Sequence, residues 1–249
     1  MQLRVINPNT TAAMTALIGA AARAVAASGT VIDAVQPSFG APSIEGHHDD
    51  VWAAAGVAEQ VRAGEAAGAD AHVIACFGDP GLHAARELSR GPVIGIAEAA
   101  FHAASLLATG FSVVTTLTRT CVIAEHLVVQ YGFERRCRGI HGSDIAVLEL
   151  EDPNSNAYAR VLECAQAALV QDRSGAIVLG CAGMAEMCRT LQQRLGVPVI
   201  DGVAAAVKLA EALVSLGLGT SKRGDYAAPL AKAYAGLAAP YSPVQPTTA

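Results

Sequence analysis

The sequence predicts an α/β protein of two pseudo-symmetric units, each with a parallel four-stranded sheet flanked by helices, and an active site in the cleft between them. Three observations carry that prediction. Apolar runs of strand length alternate with longer helical patterns along all 249 residues. "VIACFG" and "VLGCAG" both place Cys-x-Gly after an apolar run, at Cys76 and Cys181. Each is followed by "PVI" at a similar distance: Pro92 lies 16 residues past Cys76 and Pro198 lies 17 past Cys181.

The elements follow in order. Leu3–Ile6 reads as a strand, and "NPNTT" caps a helix reaching about Ala27. Val31–Val35 is a second strand, and the loop "QPSFGAPSIEGHHDD" leads to a helix over about Val51–Ala67. A third strand ends at Ala75, next to Cys76. Asp79 suits the N-cap and Pro80 the first position of a helix that starts there, before a fourth strand at Val93–Ile96. The order then starts again. A helix over about Glu98–Ala108 leads to a strand at Ser112–Thr115, where "VVTTLT" occupies the place that "VINPNT" holds in the first half. "TLTRT" opens a helix for which Gly132 is a C-cap, and a weaker strand falls within Arg136–His141. After "GSDIAVLELEDPNSN" come a helix over about Tyr158–Gln171, a strand at Ala176–Leu179, Cys181, a helix, a strand at Val197–Ile200 and a long helix over about Val203–Leu216. The expected units are 1–98 with 203–249 packing back, and 99–202; the tail after Gly219 is expected to pack loosely or bind a neighbour.

A net charge of −5 and no Lys/Arg cluster argue against nucleic acid as a partner. "MQLRVINPNT" is too polar for a signal peptide and no apolar run suits a membrane span, so a cytoplasmic protein without a membrane partner is expected. The six cysteines contain no CxxC pair, which argues against a zinc knuckle or a thioredoxin-type motif. Cys121, Cys164 and Cys188 fall within helical patterns and read as small packed side chains. "HHDD" at 47–50 suits an acidic first helical turn better than a metal site, because adjacent side chains point in different directions.

Cys76 and Cys181 are different. Ligands of open parallel sheets bind beyond the carboxyl ends of the strands. Two units facing each other would point both thiols into one cleft. Thiolates are favoured by helix N-termini and free backbone N–H groups. Two such groups on opposite faces of a planar carbanion suit a cofactor-free racemase: one takes the proton, the other returns one. Gly78 and Gly183 would let backbone amides approach the substrate closely.

"INPNT", "PSIEG", "ACFGDPGLHAARE", "PVIGIAEA", "GCAGM" and "VPVIDGV" together resemble the hydantoin racemase branch of the Asp/Glu racemase superfamily, and the allantoin racemases most of all, over about residues 1–225. The resemblance implies two pseudo-symmetric α/β domains, a homo-oligomer, no metal or cofactor, and a cysteine pair as acid and base at positions that Cys76 and Cys181 match. It also implies a small-molecule substrate, allantoin or another 5-substituted hydantoin, and with allantoin a step of purine degradation. Ala182 departs from the glycine or threonine of relatives.

Phe77, Gly78, Ala182 and Gly183 on the two cysteine loops are expected to line the substrate site. Asn9 suits a contact to a ureido or ring carbonyl, or a helix cap. Ser43 and Glu45 lie in a long loop, where Glu45 suits ring N–H groups or plain solvation. Thr116 and Thr118 sit in the position corresponding to Asn9 and combine capping with substrate contact; Arg119 suits either a carbonyl contact or the surface. Decarboxylation in this superfamily needs only one cysteine, and an amino-acid racemase would need cations that neither cysteine loop supplies. A non-enzymatic two-lobed ligand-binding protein would leave the paired thiols unexplained.

Overall fold

The computed structural model describes residues 1–152 and 154–243; the proline-containing end of the tail, 244–249, lies outside them. The first half runs β1 (Gln2–Ile6), α1 (Ala12–Val25), β2 (Val31–Val35), α2 (His47–Ala67), β3 (Ala71–Ile74), α3 (Leu82–Leu88) and β4 (Val93–Gly95). α4 (Ile96–Leu107) then crosses to the second half: β5 (Phe111–Thr115), α5 (Cys121–Gln130), β6 (Cys137–Gly142), α6 (Ala157–Asp172), β7 (Ala176–Gly180), α7 (Cys188–Leu195) and β8 (Val199–Ile200). α8 (Gly202–Ser215) closes the regular structure.

The two sheets have the same topology, β2-β1-β3-β4 and β6-β5-β7-β8, and every pairing is parallel. β3 and β7 occupy equivalent inner positions and are buried along their whole length, as their near-continuous apolar sequences require. The largest core lies between the sheets. α1, α4 and α8 bring Ile18, Phe101 and Val207 to it, against Val5 and Val73 of one sheet and Val113 and Val178 of the other. α2 and α3 cover the outer face of the first sheet, and α6 and α7 that of the second. Phe101 stacks on Phe111 at 5.4 Å and packs near Phe77 at 5.6 Å and Phe133 at 5.7 Å, so four of the five phenylalanines form one cluster joining the halves.

Several local expectations change. α3 begins at Leu82 behind Gly81, not at Pro80, and Asp79 does not cap it by its side chain. Thr118–Thr120 forms a 3-10 turn before α5, and Ala182–Met187 forms another before α7, where a continuous helix was expected. α2 begins at His47, so "HHDD" is its first turn; Asp49 accepts the Glu45 N–H at 3.0 Å. After α8 the tail lies as a strap on the first half. Thr220 donates to the Gly91 carbonyl, Lys222 to those of Arg86 and Glu87, and Tyr226 meets His83 at 2.8 Å. Among the described residues, no helix is long and apolar enough to cross a membrane, and no three His, Cys, Asp or Glu side chains group as metal ligands.

Candidate active site

Both cysteines stand just past the carboxyl ends of equivalent strands, Cys76 after β3 and Cys181 after β7. One cavity between the sheets is lined by both. The backbone N–H two residues on, of Gly78 for Cys76 and of Gly183 for Cys181, favours the thiolate in each loop. The Cys-x-Gly repeat marks a matching turn: Asp79 N–H bonds the Cys76 carbonyl at 3.0 Å and Met184 N–H the Cys181 carbonyl at 3.1 Å. Burial outweighs this influence at both thiols. Burial pushes Cys76 up to about 12, with the nearby Cys181, Asp79 and Asp50 adding to the rise. Burial likewise pushes Cys181 up to about 11, with Glu45 adding to it. The repulsion between the sulfurs opposes a doubly ionised pair, so removing one proton leaves a thiolate facing a thiol.

The rest of the cavity is built from strand ends. Asn9 follows β1, and its Oδ1 accepts from Asn7 Nδ2 at 2.8 Å and from Thr11 N at 2.9 Å. Asn7 Nδ2 also donates to Thr15 Oγ1 at 2.9 Å, which fixes the pair. With the oxygen spent, the Asn9 Nδ2 group is left to donate into the cavity that Asn9 lines. Thr115 ties β5 to β7 through the Gly180 carbonyl at 3.0 Å, and both it and the next residue, Thr116, line the cavity. None of the lining residues is Lys, Arg or His, so the site offers no cation to a carboxylate substrate.

Of the residues expected from the sequence, Asn9, Cys76, Phe77, Gly78, Thr116, Cys181, Ala182 and Gly183 line this cavity. Phe77 also packs edge-on to Phe101 at 5.6 Å, so its ring belongs to the core cluster. Ser43, Glu45 and Thr118 are not among the lining residues. Glu45 Oε1 instead accepts the Val147 N–H at 3.3 Å, joining the long loop of the first half to the second, and its charge reaches Cys181. Thr118 donates its N–H to Asp144 Oδ1 at 3.0 Å. Arg119 lies near Gly46, where an added Cβ would stand 3.3 Å from its Nη2.

Residues 3–210 match the family described as Asp/Glu/Hydantoin racemase. This chain belongs to that family. The hydantoin racemase of Rhizobium meliloti is 49% identical over 236 residues, 95% of this chain and 98% of its own. The structure of allantoin racemase from Klebsiella pneumoniae has 59% sequence identity, a TM-score of 0.96 and coverage of 98% of this chain and 100% of its own. Allantoin racemase from Pseudomonas fluorescens follows with 43% identity, a TM-score of 0.92 and coverage of 95% and 100%. The protein is thus a racemase of the hydantoin and allantoin type, an isomerase acting on small molecules.

In this racemase, sequence reasoning missed Asn7, Asp50 and Thr120 in the cavity wall. Asn7 was visible as the first residue past a strand, within the same "NPNT" that drew attention to Asn9. Asp50 was masked by its place in an acidic first helical turn, where a carboxylate has a sufficient local reason to stand.

Proposed function

We propose that this racemase inverts C5 of allantoin by a two-base mechanism without metal or organic cofactor, with Cys76 and Cys181 as the acid–base pair. The observation that carries the reading is a single cavity flanked by thiols at the same topological position of two like sheets. A thiolate on one wall takes the C5 proton, the C–H bond breaks, and its electron pair moves into the neighbouring carbonyl as an enolate. The thiol on the other wall then gives its proton to the opposite face of C5 and becomes the thiolate. Protons and charge balance, and the pair is left with its roles exchanged. Asn9 Nδ2 and the Thr116 hydroxyl supply donors to the carbonyl oxygens, where negative charge develops.

The likeness to proteins named allantoin racemase supports allantoin as substrate. The likeness to hydantoin racemases, 49% and 47% identical, supports a second reading in which other 5-substituted hydantoins are turned over. The lack of a lining cation counts against amino-acid racemisation and reactions of diacids.

Polarimetry of one allantoin enantiomer with pure enzyme, beside a 5-alkyl hydantoin, tests the substrate. Cys76→Ser and Cys181→Ser test the mechanism. Serine is far too weakly acidic to replace the thiol, so each variant is expected to lose racemisation by at least about 10³-fold. Each is also expected to exchange the C5 proton of one enantiomer with D2O without inverting it, and the two variants should prefer opposite enantiomers. Near wild-type racemisation by either variant overturns the two-thiol assignment.

A further inference from the structure

Asp50 is the one formally charged side chain among the cavity's lining residues, and the reaction described above gives it nothing to do. It sits in the first turn of α2 with its Oδ1 only 3.7 Å from where a Cβ on Gly78 would stand, which places the carboxylate on the loop that carries Cys76. Among the described residues no hydrogen-bond donor meets that carboxylate. Burial raises its proton affinity, partly offset by His47, and its charge in turn pushes up Cys76. A half-buried acceptor with no hydrogen-bond donor among the described residues is thus held beside the reacting centre. Such a group stabilises a partner bearing N–H donors and is costly beside a purely apolar one.

The donors of the site, Asn9 and Thr116, stand at the ends of β1 and β5 and suit carbonyl oxygens. Asp50 shares the cavity wall with the apolar Ile44 and Ile123 and suits the opposite polarity. We infer that Asp50 selects substrates whose C5 substituent carries hydrogen-bond donors, such as the ureido N–H groups of allantoin, over those with an alkyl substituent. A planar ureido group presents parallel N–H donors to the two carboxylate oxygens, a charge-assisted arrangement that a neutral amide reproduces only in part. Asp50 is therefore a specificity-determining residue within the proposed allantoin site, and the inference rests on that reading.

The test compares kcat/KM for allantoin and for 5-isopropylhydantoin in the wild type, Asp50→Asn and Asp50→Leu. Asp50→Asn keeps the shape and a single acceptor, so a fold defect in the leucine variant does not decide the matter. For allantoin the expected order is wild type, then Asn, then Leu, with a fall of at least about tenfold in the leucine variant, mostly in KM. For 5-isopropylhydantoin kcat/KM should rise in the same order of variants, because an unpaired charge is removed from the wall. If the wild type racemises allantoin and neither variant shifts the ratio of the two substrates, the inference is overturned while the proposed function stands. If the wild type turns over only the alkyl hydantoin, both fall together.

Discussion

In the first half, the helix that follows the last strand is capped from a distance; in the second half, the equivalent helix caps itself. α4 follows β4 behind Gly95, which has no side chain, and its free N–H groups at Ala97 and Glu98 are taken by Asp79 at 3.1 and 3.0 Å. α8 follows β8 behind Asp201, whose own carboxylate accepts from Val203 at 2.9 Å and Ala204 at 3.2 Å. The "PVI" repeat aligns Gly95 with Asp201, and the Cys-x-Gly repeat aligns Asp79 with Met184. One carboxylate has thus changed places between the cysteine loop and the helix cap. Gly95 is required where it stands, because a Cβ there would lie 2.2 Å from Asp79 Cγ. Asp79 also accepts from Tyr131 of the second half at 2.9 Å, and its backbone N–H bonds the Cys76 carbonyl at 3.0 Å. The two halves solve the same capping problem, but only the first ties the solution to a cysteine loop of the cavity and to the other half.

Asp79→Ala is the strongest way to break this difference. It removes the cap of α4 and strands the Tyr131 hydroxyl, so a loss of roughly 2–4 kcal/mol in denaturant unfolding is expected. Because the loop of the proposed acid–base residue Cys76 loosens with it, kcat should fall about tenfold or more, as misplacement of such a group does. Asp201→Ala removes only a local cap. It should cost about 1 kcal/mol and leave kcat near wild type, since its carboxylate touches neither cysteine loop. Equal losses of kcat in the two variants would erase the contrast.

The same carboxylate gives stability a pH dependence. Burial pushes Asp79 up to about 7 from an ordinary 3.8, outweighing its hydrogen bonds. The folded chain keeps a proton that the unfolded chain has released. This stabilisation is full below the ordinary value and is lost as pH rises through about 7, with a slope of at most about 1.4 kcal/mol per pH unit. Urea unfolding between pH 4 and 8 should show the decline, and Asp79→Asn should flatten it.

The smallest effect lies in the thiols themselves. Cys76 is pushed up by Cys181, Asp79 and Asp50 besides burial, whereas Cys181 has only Glu45 added to its burial. Peptide-resolved alkylation with iodoacetamide should therefore modify Cys181 at lower pH than Cys76, and Asp50→Asn should narrow the gap. Identical profiles would mean that the two walls are electrostatically alike.

The sequence made the repeat legible because parallel strands announce themselves as short apolar runs and because the same Cys-x-Gly turn appears twice. Asp79 shows where such reading stops. An Asp-Pro pair is a strong local cap signal, yet its carboxylate caps a helix 18 residues away. Glu45 reaches Val147, 102 residues on, and no local pattern encodes that contact. The stretch after Cys181 has helical composition, but its first turn winds more tightly as a 3-10 segment before α7 begins. The tail was expected to pack loosely or meet a neighbour, and its seat on α3 depends on carbonyls of Arg86 and Glu87 that any sequence would offer.

The unequal walls of the cavity meet a constraint from outside the protein. Mirror-image substrates have the same free energy in water, so the equilibrium constant of a racemisation is one. The Haldane relation then forces kcat/KM to be identical for the two enantiomers, whatever acids crowd one thiol and spare the other. Asymmetry between the Cys76 and Cys181 loops can appear only as a compensated split, with the enantiomer that binds more tightly turning over more slowly in the same proportion.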